Sequence, residues 1–152
     1  MRTKAIIVDL DGTLANTEHR QHHLEGGKKN WKAFNEGCSL DTPNNWCVSL
    51  VQAMVSYNNA SPIFITGRSM EYHDATMDWI KKHCFPYGGR FWLFMREKGN
   101  YEKDTDLKKR LYEEHVETQN LDILFVLEDR KAVVEMWRSL GLVCLQCAEG
   151  DF

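Results

Sequence analysis

Ala5-Ile6-Ile7-Val8-Asp9-Leu10-Asp11-Gly12-Thr13 decides how the chain is read. The first four residues are an unbroken apolar run, the pattern of a strand covered on both faces. Two carboxylates follow at its tip, two residues apart, and Gly12-Thr13 continues the turn. A departing strand aims Asp9 into the crevice beyond the sheet. The turn brings Asp11 beside it, and Gly12 permits the backbone conformation this needs. Carboxylates at such close range require a cation or a shifted pKa. Mg²⁺ suits hard oxygen ligands of this kind.

Working outward, four more apolar runs read as buried strands: residues 63–66, 90–95, 123–127 and 142–147. Helical patterns separate them, over 43–57, 70–83, 104–116 and 131–139. In the first helix, Trp46, Leu50, Val51, Met54 and Val55 fit a 3.6-residue period, with Asp41 and Thr42 as candidate caps and Pro43 near the first turn. Tyr72, Met77, Trp79 and Ile80 repeat the pattern in the second, and Gly141 reads as the stop after the last. Strands alternating with helices predict an α/β domain with a mostly parallel five-stranded sheet between two helical layers. Ligands in such folds bind at the carboxyl ends of the strands. The 152 residues show no linker or repeat and read as one domain. The segment from about 16 to 42 is polar, apart from a short amphipathic piece around Trp31 and Phe34. It follows the first strand on the ligand side and reads as a small cap or lid.

Composition narrows the partners. Nineteen Lys and Arg against 22 Asp and Glu give a net charge of -3, so any polyanion must meet a local patch. Lys28, Lys29 and Lys32 form either such a patch or a solvated face. The mean hydropathy of -0.49, and the lack of an apolar run of about 18 residues, argue against a membrane span. Five cysteines do not suggest a disulfide framework, and the N-terminus runs into the first strand without a signal-like segment. A reducing cytoplasm is expected. Cys144 and Cys147 read as strand cysteines rather than a zinc or redox pair, and His19, His22 and His23 lack companion ligands at metal-binding spacing. Trp31, Phe34, Trp92 and Phe94 are candidates for stacking on a base, although Trp92, within a strand, reads as core.

Asp9-Leu10-Asp11-Gly12-Thr13 resembles the first motif of the haloacid dehalogenase (HAD) superfamily of phosphatases. Further elements of that pattern stand in order: Thr66-Gly67-Arg68 after a strand, Lys108 near a helix start, and Glu128-Asp129 after the next strand. The resemblance implies a Rossmann-like three-layer HAD fold and hydrolysis through an aspartyl phosphate. Asp9 would be the nucleophile, Asp11 the acid and then the base, and Lys108 a fixed positive charge. Thr66 and the Gly67 amide would bind phosphoryl oxygens. Mg²⁺ would lie among Asp9, the Asp11 carbonyl, Asp129 directly and Glu128 through water. Glu128 stands where many relatives carry Asp.

A narrower resemblance covers nearly the whole chain outside residues 21–40. It is to the phosphatase domain of the bacteriophage polynucleotide kinase/3′-phosphatase family. It rests on Val133-Val134-Glu135-Met136-Trp137-Arg138, Gly141, Cys144, Gln146 and Gly150-Asp151-Phe152, and on Arg20, Arg68, Arg96-Glu97, Gly99, Asp104 and Asp129-Arg130. It implies phosphate or substrate contacts at Arg20, Arg68, Arg96, Asp104 and Arg130, although Asp104 also suits a helix cap. No GxxxxGK[ST] motif occurs, so phosphate hydrolysis without transfer from ATP is expected. The resemblance implies a Mg²⁺-dependent enzyme that removes 3′-phosphates from DNA or RNA ends, with a separate kinase or ligase as partner. Two alternatives are a HAD-type nucleotidase or other small-molecule phosphomonoesterase, and a phosphate-end binder without turnover.

Overall fold

The computed structural model describes residues 1–150. The matches at Asp151 and Phe152 lie outside the described residues. β1 (Lys4–Val8) is the middle strand of the sheet. On one side lie β4 (Ser61–Ser69) and β5 (Trp92–Arg96), and on the other β6 (Asp122–Arg130) and β7 (Cys144–Gly150). All four pairings are parallel. The chain builds outward from β1 through β4 to β5, then crosses back to β6. The direction of winding therefore reverses between β1 and β6, and a crevice opens beyond their carboxyl ends.

The apolar run explains the layers. Ile6 and Val8 face one core with Val51, Trp79 and Ile80, on the side of α2 (Asn45–Asn58) and α3 (His73–Cys84). Ala5 and Ile7 face the other with Leu107, Leu111, Val133 and Trp137. That side belongs to α4 (Asp104–His115) and α5 (Lys131–Ser139). Successive residues of a strand point to opposite faces, so β1 must be apolar throughout.

Between β1 and α2 the chain makes a two-stranded antiparallel ribbon, β2 (Ala15–Asn16) with β3 (Thr42–Pro43). The intervening residues form a 3-10 turn over Glu18–Leu24, the short helix α1 (Trp31–Glu36) and a second 3-10 turn over Gly37–Leu40.

Three local readings are corrected. Asn44, not Asp41 or Thr42, occupies the position before α2, because Thr42 and Pro43 pair with the ribbon and Asp41 is drawn into buried ion pairs. Trp46 is half exposed rather than packed into the core; Cys47, next to it, takes the buried position. Trp92 is also partly exposed, since it starts the edge strand β5. Cys144 joins the core, whereas Cys147, three positions along β7 and so on its other face, contacts Thr13 Oγ1 at 3.6 Å. No helix among the described residues is long and apolar enough to cross a membrane.

Trp137 is the largest wholly buried side chain and meets Tyr112 edge to face at 5.7 Å. Trp137→Ala should lower unfolding stability by about 3–5 kcal/mol in urea titration.

Candidate active site

The tips of β1 and β6 are locked together before any side chain contributes. The Asp9 N–H donates to the Leu127 carbonyl at 3.0 Å. The chain then turns, with the Ala15 N–H on the Leu10 carbonyl and the Gly12 N–H on the Ala15 carbonyl, both at 2.9 Å. Gly12 has a φ of +85°, and a Cβ there would lie 2.2 Å from Asp129 Oδ2. Only glycine lets the turn approach the acidic pair so closely.

Lys108 rises from α4 into this junction. Its ammonium donates to Asp9 Oδ1 at 2.7 Å and to Glu128 Oε2 at 2.8 Å. Thr13 Oγ1 donates to the other Asp9 oxygen at 2.9 Å. Asp9, Glu128 and Asp129 each offer an oxygen within 4.8 Å of the others, and all are buried. Burial, reinforced by the charge of Glu128, pushes the Asp9 pKa up to about 7 against the pull of Lys108. Burial and the charge of Asp9 raise Asp129 to about 7 as well. Glu128 is also raised, by burial, despite Lys108. Burial alone would lower Lys108, but Asp9 and Glu128 outweigh it and hold the ammonium charged. Three clustered carboxylates therefore have one ammonium among them, bonded to Asp9 and Glu128. The donor set is all oxygen and short of positive charge, which fits a hard divalent cation.

Asp11 occupies a different environment. Its Oδ1 accepts from Arg68 Nη2 at 2.6 Å and Nε at 2.9 Å, and from Arg20 Nη2 at 2.8 Å. Burial would raise its pKa, but Arg68 and then Arg20 outweigh it, and the carboxyl is held below its usual range. Behind it, Asp41 Oδ2 accepts from Arg20 at 2.6 Å and Arg68 at 3.0 Å. Its Oδ1 meets Arg20 Nε and His19 Nε2, each at 2.7 Å. Trp79 Nε1 donates to the Asp41 carbonyl at 2.8 Å, which fixes the backbone beneath. Two guanidinium and two carboxylate groups thus form a paired square, buried at Arg20, Arg68 and Asp41 and open to the cavity at Asp11. Asp41 is the member the sequence did not disclose. Its position before Pro43 looks like a helix cap, and no local pattern marks a pairing with residues 20 and 68.

A third group braces the far wall. Asp104 accepts from Arg96 Nη2 at 2.6 Å and from Arg130 Nη1 at 2.9 Å. Arg96 also donates to the carbonyls of Gly67 and Glu102. A Cβ on Gly67 would lie 2.7 Å from Asp104 Oδ1, so this glycine admits the brace.

One cavity of about 780 Å³ faces all three groups. Asp9, Asp11, Thr66, Gly67, Arg68, Arg96, Asp104, Lys108, Glu128, Asp129 and Arg130 line it. Arg20 does not. It is buried behind Asp11, its donors taken by Asp11, Asp41 and the Phe34 carbonyl. Residues of the segment between β2 and β3, including Leu24, Lys29, Trp31, Lys32 and Phe34, form another wall. His19 faces Asp41 and His22 packs on His23, and none of the three joins the carboxylate cluster.

A family model for the polynucleotide kinase PNKP phosphatase domain matches residues 3–152. A chain from a structure of the Pnkp1/Rnl/Hen1 RNA repair complex superposes with a TM-score of 0.81 at 31% identity, over 99% of this chain and 44% of that one. A protein of Autographa californica nuclear polyhedrosis virus, described as a bifunctional polynucleotide kinase/RNA ligase, is 28% identical over 139 residues. The match covers 91% of this chain and 18% of the viral protein. The chain thus spans under half of the structural relative and about a fifth of the viral one. A class C acid phosphatase from Bacillus anthracis shares the fold, with a TM-score of 0.64 at 14% identity.

Asp41→Ala leaves two buried guanidinium groups short of a partner. It should lower stability by about 3–5 kcal/mol in chemical denaturation. The raised pKa values of Asp9 and Asp129 also set a pH dependence in chelating buffer. Below about pH 4 both states hold these protons. Between there and about 7 only the folded state keeps them, so unfolding releases protons and stability falls as pH rises. The urea midpoint should therefore be higher at pH 5.5 than at pH 8 in chelator, and the difference should shrink in Asp9→Asn.

Proposed function

The chain belongs to the polynucleotide kinase PNKP phosphatase domain family, and from that premise we propose that it removes terminal 3′-phosphates from DNA or RNA. The observation that carries this reading is the convergence on one cavity of Asp9, Lys108 and the Glu128-Asp129 pair. Asp9 stands at the strand tip with Oδ1 on Lys108 and Oδ2 on Thr13, held in place on the wall of the cavity that a phosphate would enter. Attack forms the Asp9–phosphate bond and breaks the bond from phosphorus to the sugar oxygen, which leaves with a proton from Asp11. In the second step Asp11 takes a proton from water, the water attacks phosphorus, and Asp9 is released.

Arg20 and Arg68 hold Asp11 ionised, the form the second step needs. Arg68 lines the cavity, so an entering phosphate can draw its guanidinium off Asp11 and let the carboxyl take up the proton for the first step. Arg20 positions Asp11 from behind. Thr66, the Gly67 amide and Lys108 face the phosphoryl oxygens, where charge accumulates. Arg96, Asp104 and Arg130 shape the substrate side of the cavity.

Asp9, Asp129 and Glu128 would hold Mg²⁺, together with the Asp11 carbonyl. Such a cation supplies charge neutralisation at the phosphoryl group. The residues between β2 and β3 act as a cap over the cavity. A chain of related fold and sequence belongs to an RNA repair complex, and the viral relative is described as a kinase/ligase; both support nucleic-acid ends as substrate and a kinase or ligase as partner.

The test is a panel of 3′-phosphorylated and 5′-phosphorylated oligonucleotides, 3′-TMP and p-nitrophenyl phosphate, each with and without Mg²⁺. The 3′-phosphorylated oligonucleotide should be cleared fastest and only with the cation. A strong preference for 3′-TMP would instead make the chain a nucleotidase. Asp9→Asn should reduce turnover by roughly 10³-fold or more while circular dichroism stays native.

A further inference from the structure

Trp31 takes no part in the steps above, yet it is half exposed and lines the same cavity. The phosphate enters toward the carboxylates, so whatever is attached to it must lie along the cavity wall. For a nucleic-acid end that attachment is a sugar and a base.

The ring is firmly mounted. Asn30 Oδ1 accepts the Ala33 N–H at 3.1 Å and pins the start of α1. Phe34, buried, meets Trp31 edge to face at 5.8 Å. The Arg20 guanidinium lies 4.1 Å from the centre of the Phe34 ring and donates to Asp11. Trp31 is thus one guanidinium and one ring removed from the carboxylate that protonates the leaving group. The Lys29 ammonium lies 5.7 Å from the centre of the Trp31 ring, over its face, where an arriving base would displace it toward the adjoining phosphodiester; Lys32 lines the cavity too.

We propose that Trp31 is a specificity-determining residue that stacks on the nucleobase of the phosphate-bearing terminal nucleotide. This rests on the nucleic-acid-end reading above. Stacking is indifferent to which base is present, so the residue selects nucleotide ends without selecting sequence. It ties selection to chemistry as well, because the cap that carries Trp31 also carries Arg20.

The experiment compares a 3′-phosphorylated oligonucleotide with the same oligomer made abasic at its terminal nucleotide, and includes p-nitrophenyl phosphate. The wild-type chain should favour the base-bearing end by about 5- to 100-fold, chiefly through KM. Trp31→Ala should bring that ratio close to one, and Trp31→Phe should keep most of it. Trp31→Leu, which retains apolar bulk for packing, should behave as the alanine variant does. The inference is overturned if the wild-type chain does not discriminate, or if the alanine and leucine variants discriminate as well as wild type. Hydrolysis of p-nitrophenyl phosphate without either oligomer would instead remove the nucleic-acid reading, and the inference with it. Hydrolysis of both oligomers at equal rates leaves that reading standing and sinks the inference alone.

Discussion

A single ammonium group, the Nζ of Lys108, holds the arrangement together. It comes from α4, donates to the tip of β1 at Asp9 and to β6 at Glu128, and is buried with both. Without it, neighbouring strands would end in carboxylates facing each other at low dielectric. The geometry works because the chain crosses from one half of the sheet to the other at this place. The topology brings β1 and β6 side by side, and the helix between β5 and β6 supplies the counter-charge.

Two neighbouring clusters of charge are balanced differently, and the contrast has chemical meaning. Around Asp11 and Asp41, two carboxylates meet two guanidinium groups, and the set is neutral. Around Asp9, three carboxylates meet one ammonium, and positive charge is lacking. The balanced set holds Asp11 ionised. The deficient set has pKa values displaced toward neutrality, and its oxygens are of the kind that suit a hard cation. Strand-tip residues two positions apart therefore sit in opposite electrostatic surroundings, one carboxyl pushed up in pKa and the other held down.

Much of this was legible in the sequence because the central strands are covered on both faces and so appear as plain apolar runs. Ala5 to Val8 and Ile63 to Ile65 left little choice, and the acidic or Thr-Gly turns after them marked the rim. The helix over Lys131–Ser139 was read to its ends. What escaped was long-range and polar. Asp41 looked like a cap because its partners are 21 and 27 positions away. Trp92 looked like core because an edge strand and a central strand carry similar residues, and only the sheet order tells them apart. Arg20 was identified as important, but its burial behind Asp11, away from the cavity, depends on how residues 17–41 fold back.

The two-residue ribbon of β2 and β3 sets terms for how such a molecule diversifies. Ala15 pairs with Pro43 and Asn16 with Thr42, so the excursion leaves and rejoins the sheet-forming chain at nearly one point. Lengthening or shortening it would hardly strain the framework, since loop closure grows only slowly less favourable with length. Two anchors resist free exchange, for Arg20 and Asp41 must return to the same places whatever lies between them. Variation is thereby channelled into the stretch that walls the cavity, while the carboxylates at the strand tips inherit an unchanged setting.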